Sequence, residues 1–220
     1  MSPLQQFQDG AVRGYLHSPR QMTTKGLVLT HGAGGNCNAA LLVKAATVLC
    51  DAGICVLRCD LPFRQRHPFG PPSPSGAAQD RDGLRAAVQS MRKLVPGAIT
   101  LGGHSYGGRQ STMLAAEEPG LSEALLLFSY PLHPPNKPAQ LRTAHFPGLQ
   151  TPALFVHGAK DPFATTDEMT AALRQIPAQT TLLTIDGAGH DLKQGKFDAA
   201  VWQSITMYLG TAGGNTDAKY

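Results

Sequence analysis

The sequence predicts an α/β fold: a mostly parallel central sheet with helices on both faces, in one domain with no cap. Three observations predict it. Short, continuous apolar runs such as Leu27-Val28-Leu29 and Ala124–Phe128 have the character of strands buried on both faces. These runs alternate with stretches whose apolar residues recur at helical spacing. No shift in composition divides the 220 residues, and no internal repeat breaks them into smaller units.

Taken in order, residues 10–17 alternate weakly and predict an early edge strand. Lys25–Thr30 is a short apolar strand that runs into His31-Gly32-Ala33-Gly34-Gly35. From Asn38 to Ala52, Leu41, Leu42, Ala45, Val48 and Leu49 fall at helical spacing, and Gly53 stops the helix. Residues 54–59 are again strand-like. Residues 60–76 are rich in proline, arginine and glycine and predict a long ordered loop. A helix from about Ala78 to Leu94 leads to a strand at 98–104, a glycine-rich turn, and a helix over 109–118 stopped by Pro119-Gly120. Further strands are expected at 124–129, 153–158 and 180–185, with helices at 166–175 and 197–209. Residues 130–151, with five prolines, predict a loop. The domain spans 1–210, and 211–220 reads as a disordered tail.

Composition removes several function classes. The formal charge is +4, and no basic run exceeds two residues, so nothing resembles a nucleic-acid footprint. The longest apolar stretches reach about six residues, far short of the ~20 that span a bilayer. Residues 1–6 lack the basic start and apolar run of a secretory leader. The four cysteines, Cys37, Cys50, Cys55 and Cys59, form no C-x-x-C and no metal-ligand spacing, which predicts buried free thiols and no metal. A cytoplasmic monomer or homodimer without a membrane or nucleic-acid partner is the expectation.

The chemistry gathers at the carboxyl ends of the expected strands, where such sheets bind ligands. Strand 98–104 runs into Gly103-His104-Ser105-Tyr106-Gly107, a G-x-S-x-G between strand and helix. With 24 glycines in the chain, chance supplies the bare pattern in about one such sequence in ten, so the flanking elements carry weight. A turn this tight holds a serine hydroxyl out above the sheet. Strand 153–158 leads to Asp161, and strand 180–185 to His190. Serine needs an imidazole to take its proton, and the imidazole needs a carboxylate to fix its tautomer. Ser105, Asp161 and His190 therefore form the candidate triad. Tyr106 N–H and an N–H of the Ala33-Gly34 turn are the candidate oxyanion donors. Asp186 and Asp191 are rival acids, of which Asp191 adjoins His190 and cannot easily reach its ring. No glycine turn gives G-x-G-x-x-G, since Cys37 stands in the last glycine's place, which argues against a dinucleotide enzyme.

Over residues 20–210 these motifs resemble the α/β-hydrolase superfamily. Asp60-Leu61-Pro62-Phe63-Arg64-Gln65, Gly107-Gly108-Arg109 and Tyr130-Pro131-Leu132-His133-Pro134-Pro135 resemble a smaller dienelactone-hydrolase-like group. That group includes testis-expressed protein thirty and subunit three of the non-specific-lethal chromatin complex. The resemblance implies the hydrolase fold and a serine esterase chemistry without cofactor. Dienelactone hydrolases proper use a cysteine nucleophile, so their lactone specificity does not carry over to Ser105. The expected substrate is a small-molecule carboxylic ester or thioester. The expected site is shallow and open, bordered by 130–151 and 61–74. Arg64, with Arg66 and His67, would receive an anionic substrate group, or else the arginines pair with nearby acids or remain solvated. Phe63 and Tyr106 would line the acyl pocket, unless Phe63 is core. A hydrolase-fold scaffold with little turnover is the alternative.

Overall fold

The computed structural model describes residues 4–193 and 197–211. Eight strands form one sheet in the order β1-β2-β4-β3-β5-β6-β7-β8. β1 (Leu4–Asp9) and β2 (Val12–His17) make an antiparallel hairpin, and β2 also runs antiparallel to β4 (Cys55–Cys59). The remaining pairings are all parallel and join β4, β3 (Lys25–Thr30), β5 (Ala98–His104), β6 (Ala124–Phe128), β7 (Ala153–Gly158) and β8 (Thr180–Ile185). The α/β fold and mostly parallel sheet of the sequence reading are found.

Alternation along each strand divides the core in two, as a period of two requires. Val28, Leu57, Leu101, Leu125, Leu127 and Phe155 face α3 (Ala77–Leu94), α4 (Tyr106–Glu117) and α5 (Thr166–Leu173). Leu27, Leu29, Val56, Leu126, Phe128 and Val156 face α1 (Ala40–Asp51) and α6 (Ala199–Thr211). Each fully buried Leu or Phe contributes about 1.5–3 kcal/mol relative to exposure. In α3, Leu84, Ala87, Val88 and Met91 make the buried stripe. All four cysteines are buried, and none forms a disulfide among the described residues.

Several expectations are corrected. β1 was missed because it is an edge strand, Leu-Gln-Gln-Phe-Gln-Asp, whose glutamines leave no apolar run. The 60–76 segment contains a short helix, α2 (Pro62–Arg66), begun by a proline whose fixed φ suits the first helical position. The 130–151 segment does not border the site. Tyr130, Leu132, Phe146 and Leu149 are buried in the core, with the Tyr130 ring 5.4 Å from Phe146 and 5.9 Å from Phe155. Thr211, assigned to the tail, ends α6; the remainder of the expected tail, 212–220, lies outside the described residues. Among the described residues, no helix is long and apolar enough to cross a membrane.

Candidate active site

β5 delivers Ser105 to the carboxyl edge of the sheet, between β3 and β6. Ser105 has φ 51° and ψ −115°, a conformation that costs a residue with a β-carbon about 1–3 kcal/mol. Its surroundings hold it there. Its N–H donates to the Phe128 carbonyl at 2.9 Å, and its own carbonyl accepts the Arg109 N–H at 2.9 Å. α4 begins directly after the serine, at Tyr106 rather than at the expected Arg109. Its first turn lies on the end of β3: a methyl group at Gly107 would sit 2.5 Å from the His31 carbonyl oxygen. Glycine is therefore required at that position for the turn to close.

His190 Nε2 stands 2.8 Å from Ser105 Oγ. The other ring nitrogen, Nδ1, is 2.8 Å from Asp161 Oδ2 and 3.0 Å from Oδ1. A carboxylate oxygen accepts, so Nδ1 carries the proton and Nε2 is left to accept from the serine hydroxyl. Asp161 has no exposed side-chain surface, and its Oδ1 also accepts the Phe163 N–H at 2.8 Å. Two contacts steady the imidazole. The Phe163 ring lies 4.1 Å from it at 32°, and His104 donates from Nε2 to the His190 carbonyl at 2.9 Å. Burial pushes His104 toward its neutral form. The rival acids stand elsewhere: Asp186 is exposed, and Asp191 pairs with Lys193 at 3.2 Å.

Ala33 and Gly34 lie at the mouth of the same site. A methyl on Gly32 would reach within 3.3 Å of Ser105 Cβ, which sets how closely the turn approaches the serine. Tyr106 is the first residue of α4, so its N–H has no partner within the helix and is free to serve a ligand. Over Ser105 opens a cavity of about 750 Å³, walled by Leu41, Phe163, Leu192, Phe197 and Trp202. The side chains expected to bind substrate do not reach it. Phe63 is core, 4% exposed. Tyr106 gives its hydroxyl to Asp80 Oδ2 at 2.7 Å, and its ring packs edge-on against Phe63. Arg64 is 6% exposed and spends its guanidinium on backbone carbonyls behind the glycine turn. The pocket is thus formed on the α1 and α6 side of the serine, not between the loops at 61–74 and 130–151. Its walls come from chain segments about 160 residues apart, Leu41 and Trp202, which no local pattern connects.

A mostly parallel sheet that presents a serine on a strained strand-to-helix turn, with an aspartate beyond β7 and a histidine beyond β8, defines the α/β-hydrolase class of protein. The chain belongs to the α/β hydrolase domain family, whose pattern it matches over residues 23–209. Among solved structures it is similar to a dienelactone hydrolase from Anabaena variabilis, with 21% identity, a TM-score of 0.73, and 96% of this chain and 98% of that one covered. It is also similar to Est1E from Butyrivibrio proteoclasticus, at 18% identity and a TM-score of 0.71 over 94% and 96% of the two chains. A serine hydrolase without a lid from Xanthomonas campestris matches at 18% identity and a TM-score of 0.67 over 96% and 93%. At these identities the likeness is one of fold.

Proposed function

We propose that the protein is a serine hydrolase that cleaves small carboxylic esters or thioesters through an acyl-enzyme on Ser105. The observation that carries this reading is the 2.8 Å separation of Ser105 Oγ from His190 Nε2 at the mouth of an apolar cavity. In the first half-reaction Ser105 Oγ attacks the substrate carbonyl carbon while His190 Nε2 takes the hydroxyl proton. The negative charge that develops on the carbonyl oxygen is held by the Tyr106 N–H and by an N–H of the Ala33-Gly34 turn. Collapse of this intermediate breaks the bond to the leaving alkoxide or thiolate, which receives the proton from His190. Water then enters by the same route: His190 accepts its proton, its oxygen attacks the acyl carbon, and the proton returns to Ser105 as the acid leaves.

Asp161 does not give up or gain a proton in this cycle. It keeps Nδ1 protonated and steadies the imidazolium. The relay supplies its own base and acid, so the reading requires no cofactor. The apolar walls at Leu41, Leu192, Phe197 and Trp202 suit the hydrocarbon part of an acyl group, and the cavity falls within the ~300–1,000 Å³ of small-molecule sites.

Turnover of p-nitrophenyl esters and acyl thioesters of increasing chain length, by the wild type and by Ser105→Ala, tests the reading. Hydrolysis by the wild type that disappears in the variant supports it. Equal rates in the two proteins, or none in a folded wild type, would remove it.

A further inference from the structure

Three peptide units of the glycine turn are held by buried side chains. The Gly32 carbonyl accepts from His31 Nδ1 at 2.9 Å and from the Gly35 N–H at 3.1 Å. His31 Nε2 accepts the Leu61 N–H at 3.1 Å, which places the ring proton on Nδ1. The next carbonyl, that of Ala33, accepts from Arg64 Nη2 at 2.7 Å, and the Gly35 carbonyl from Arg64 Nε at 2.7 Å. The guanidinium completes its contacts on the carbonyls of His67 and Gly70, both at 3.0 Å, and lies 4.9 Å from the centre of the Phe63 ring. It forms no ion pair among the described residues.

A cation buried without a carboxylate is a costly way to staple a loop, and four carbonyl oxygens are what offset the lost hydration. Its placement has a consequence for the site. In a trans peptide the C=O and N–H point in opposite directions. The Ala33 carbonyl is held by Arg64, which is not among the residues that line the cavity. The N–H of the same peptide, that of Gly34, points away from Arg64, and Ala33 and Gly34 both line the cavity over Ser105. A charged donor on the carbonyl also polarises the amide and strengthens its N–H as a donor in turn.

We propose that Arg64 is a positioning residue of the oxyanion site: through the Ala33 carbonyl it aims the Ala33–Gly34 peptide at the charge that forms on the substrate. It touches no substrate atom, and its contribution appears in the transition state rather than in the bound ester. The proposal rests on the serine-hydrolase reading above.

The test uses the full chain carrying Arg64→Ala or Arg64→Lys. It compares kcat, KM and the pH profile for p-nitrophenyl butyrate with the inhibition constant of a trifluoromethyl ketone, which forms a tetrahedral oxyanion on serine. In Arg64→Ala, kcat falls by about 10- to 100-fold while KM stays within about twofold. The inhibition constant rises by the same factor as kcat falls, and the shape of the pH profile is kept because the Ser105–His190–Asp161 contacts are untouched. Arg64→Lys, with a cation but no planar fork, lies between. Added guanidinium ion at millimolar concentration restores part of the lost kcat in the alanine variant. A folded variant whose kcat stays within twofold of wild type overturns the proposal, as does a loss confined to KM. If Arg64→Ala does not fold, the same comparison on Arg64→Lys decides. A wild type inert to both fluorophosphonate and esters overturns the underlying reading, and does so before any substitution is made.

Discussion

The Cα of Gly158 packs directly against the carbonyl of Ala188: a methyl group there would lie 2.5 Å from the Ala188 oxygen and 2.6 Å from that of Gly189. The contact ties the loop that carries Asp161 to the loop that carries His190. Two backbone bonds reinforce it, Lys160 N–H to Ala188 O at 2.8 Å and Ala159 N–H to Ile185 O at 3.0 Å. The short distance between carboxylate and imidazole is thus built into the backbone. Gly158→Ala is expected to push the two loops apart. A 1 Å misplacement at a reacting group costs on the order of 100-fold in rate. Esterase kcat falls by that order, with a loss of about 1–3 kcal/mol in urea unfolding.

Asp161→Asn separates orientation from bulk. The amide fills the same space, yet it offers an N–H where the ring needs an acceptor, and so favours the wrong imidazole tautomer. The expected loss in kcat is about 10³- to 10⁴-fold, with a KM near that of wild type. Steady-state kinetics on one p-nitrophenyl ester measures both constants. A loss of less than tenfold would remove Asp161 from the relay.

Leu41 and Trp202 both line the cavity over Ser105. If the acyl group occupies this cavity, Leu41→Trp is expected to fill part of it and shorten the preferred chain. Each methylene denied burial costs about 0.8 kcal/mol, so excluding two lowers kcat/KM for the long ester by about 15-fold. The acetate ester, the shortest of the series, is expected to keep its rate. The chain-length profile of wild type and variant shows which part of the cavity the acyl group occupies.

Stability depends on pH through His17. Its Nε2 accepts from Arg58 Nε at 2.9 Å, and burial first, then the Arg58 charge, lowers its pKa from 6.5 to about 4. Above pH 6.5 neither folded nor unfolded chain holds this proton. Between 6.5 and about 4 the unfolded chain takes it up and the folded one does not, so stability falls as pH falls. At pH 5 the expected loss from this group is about 2 kcal/mol relative to pH 8. His145, lowered to about 4 by burial and then by Arg109 and Arg81, acts in the same direction. Urea midpoints at the two pH values measure the sum. In His17→Gln, which keeps an acceptor for Arg58 but does not titrate, the difference shrinks.

The parts of this molecule that were legible in the sequence are those written in contiguous residues. Ser105 between two glycines, and Asp161 and His190 just beyond apolar runs, stand at strand ends because a parallel sheet puts every strand end on one edge. What the chain did not reveal are relations between distant residues. Leu41 and Trp202 meet only because α1 and α6 cover the same face of the sheet. Arg64 reads as a surface cation in a loop of prolines; its burial follows from α2 folding behind the glycine turn. Phe163 has no local signal in the sequence, since an aromatic two residues after an aspartate is common to many loops. The Asp161 to Phe163 N–H bond, with the ring on His190, gives it a place in the site.

If His190 activates Ser105 as proposed, a fluorophosphonate will modify Ser105 covalently and will do so only slowly without the imidazole. Wild type and His190→Ala are treated with the reagent, digested, and the modified peptide is sequenced by mass spectrometry. The expected result is one phosphonyl group on Ser105 in the wild type, formed within minutes, and labelling slower by at least about 100-fold in His190→Ala. A folded wild type that takes up no reagent, or takes it up on another residue, would show that Ser105 is not the activated nucleophile.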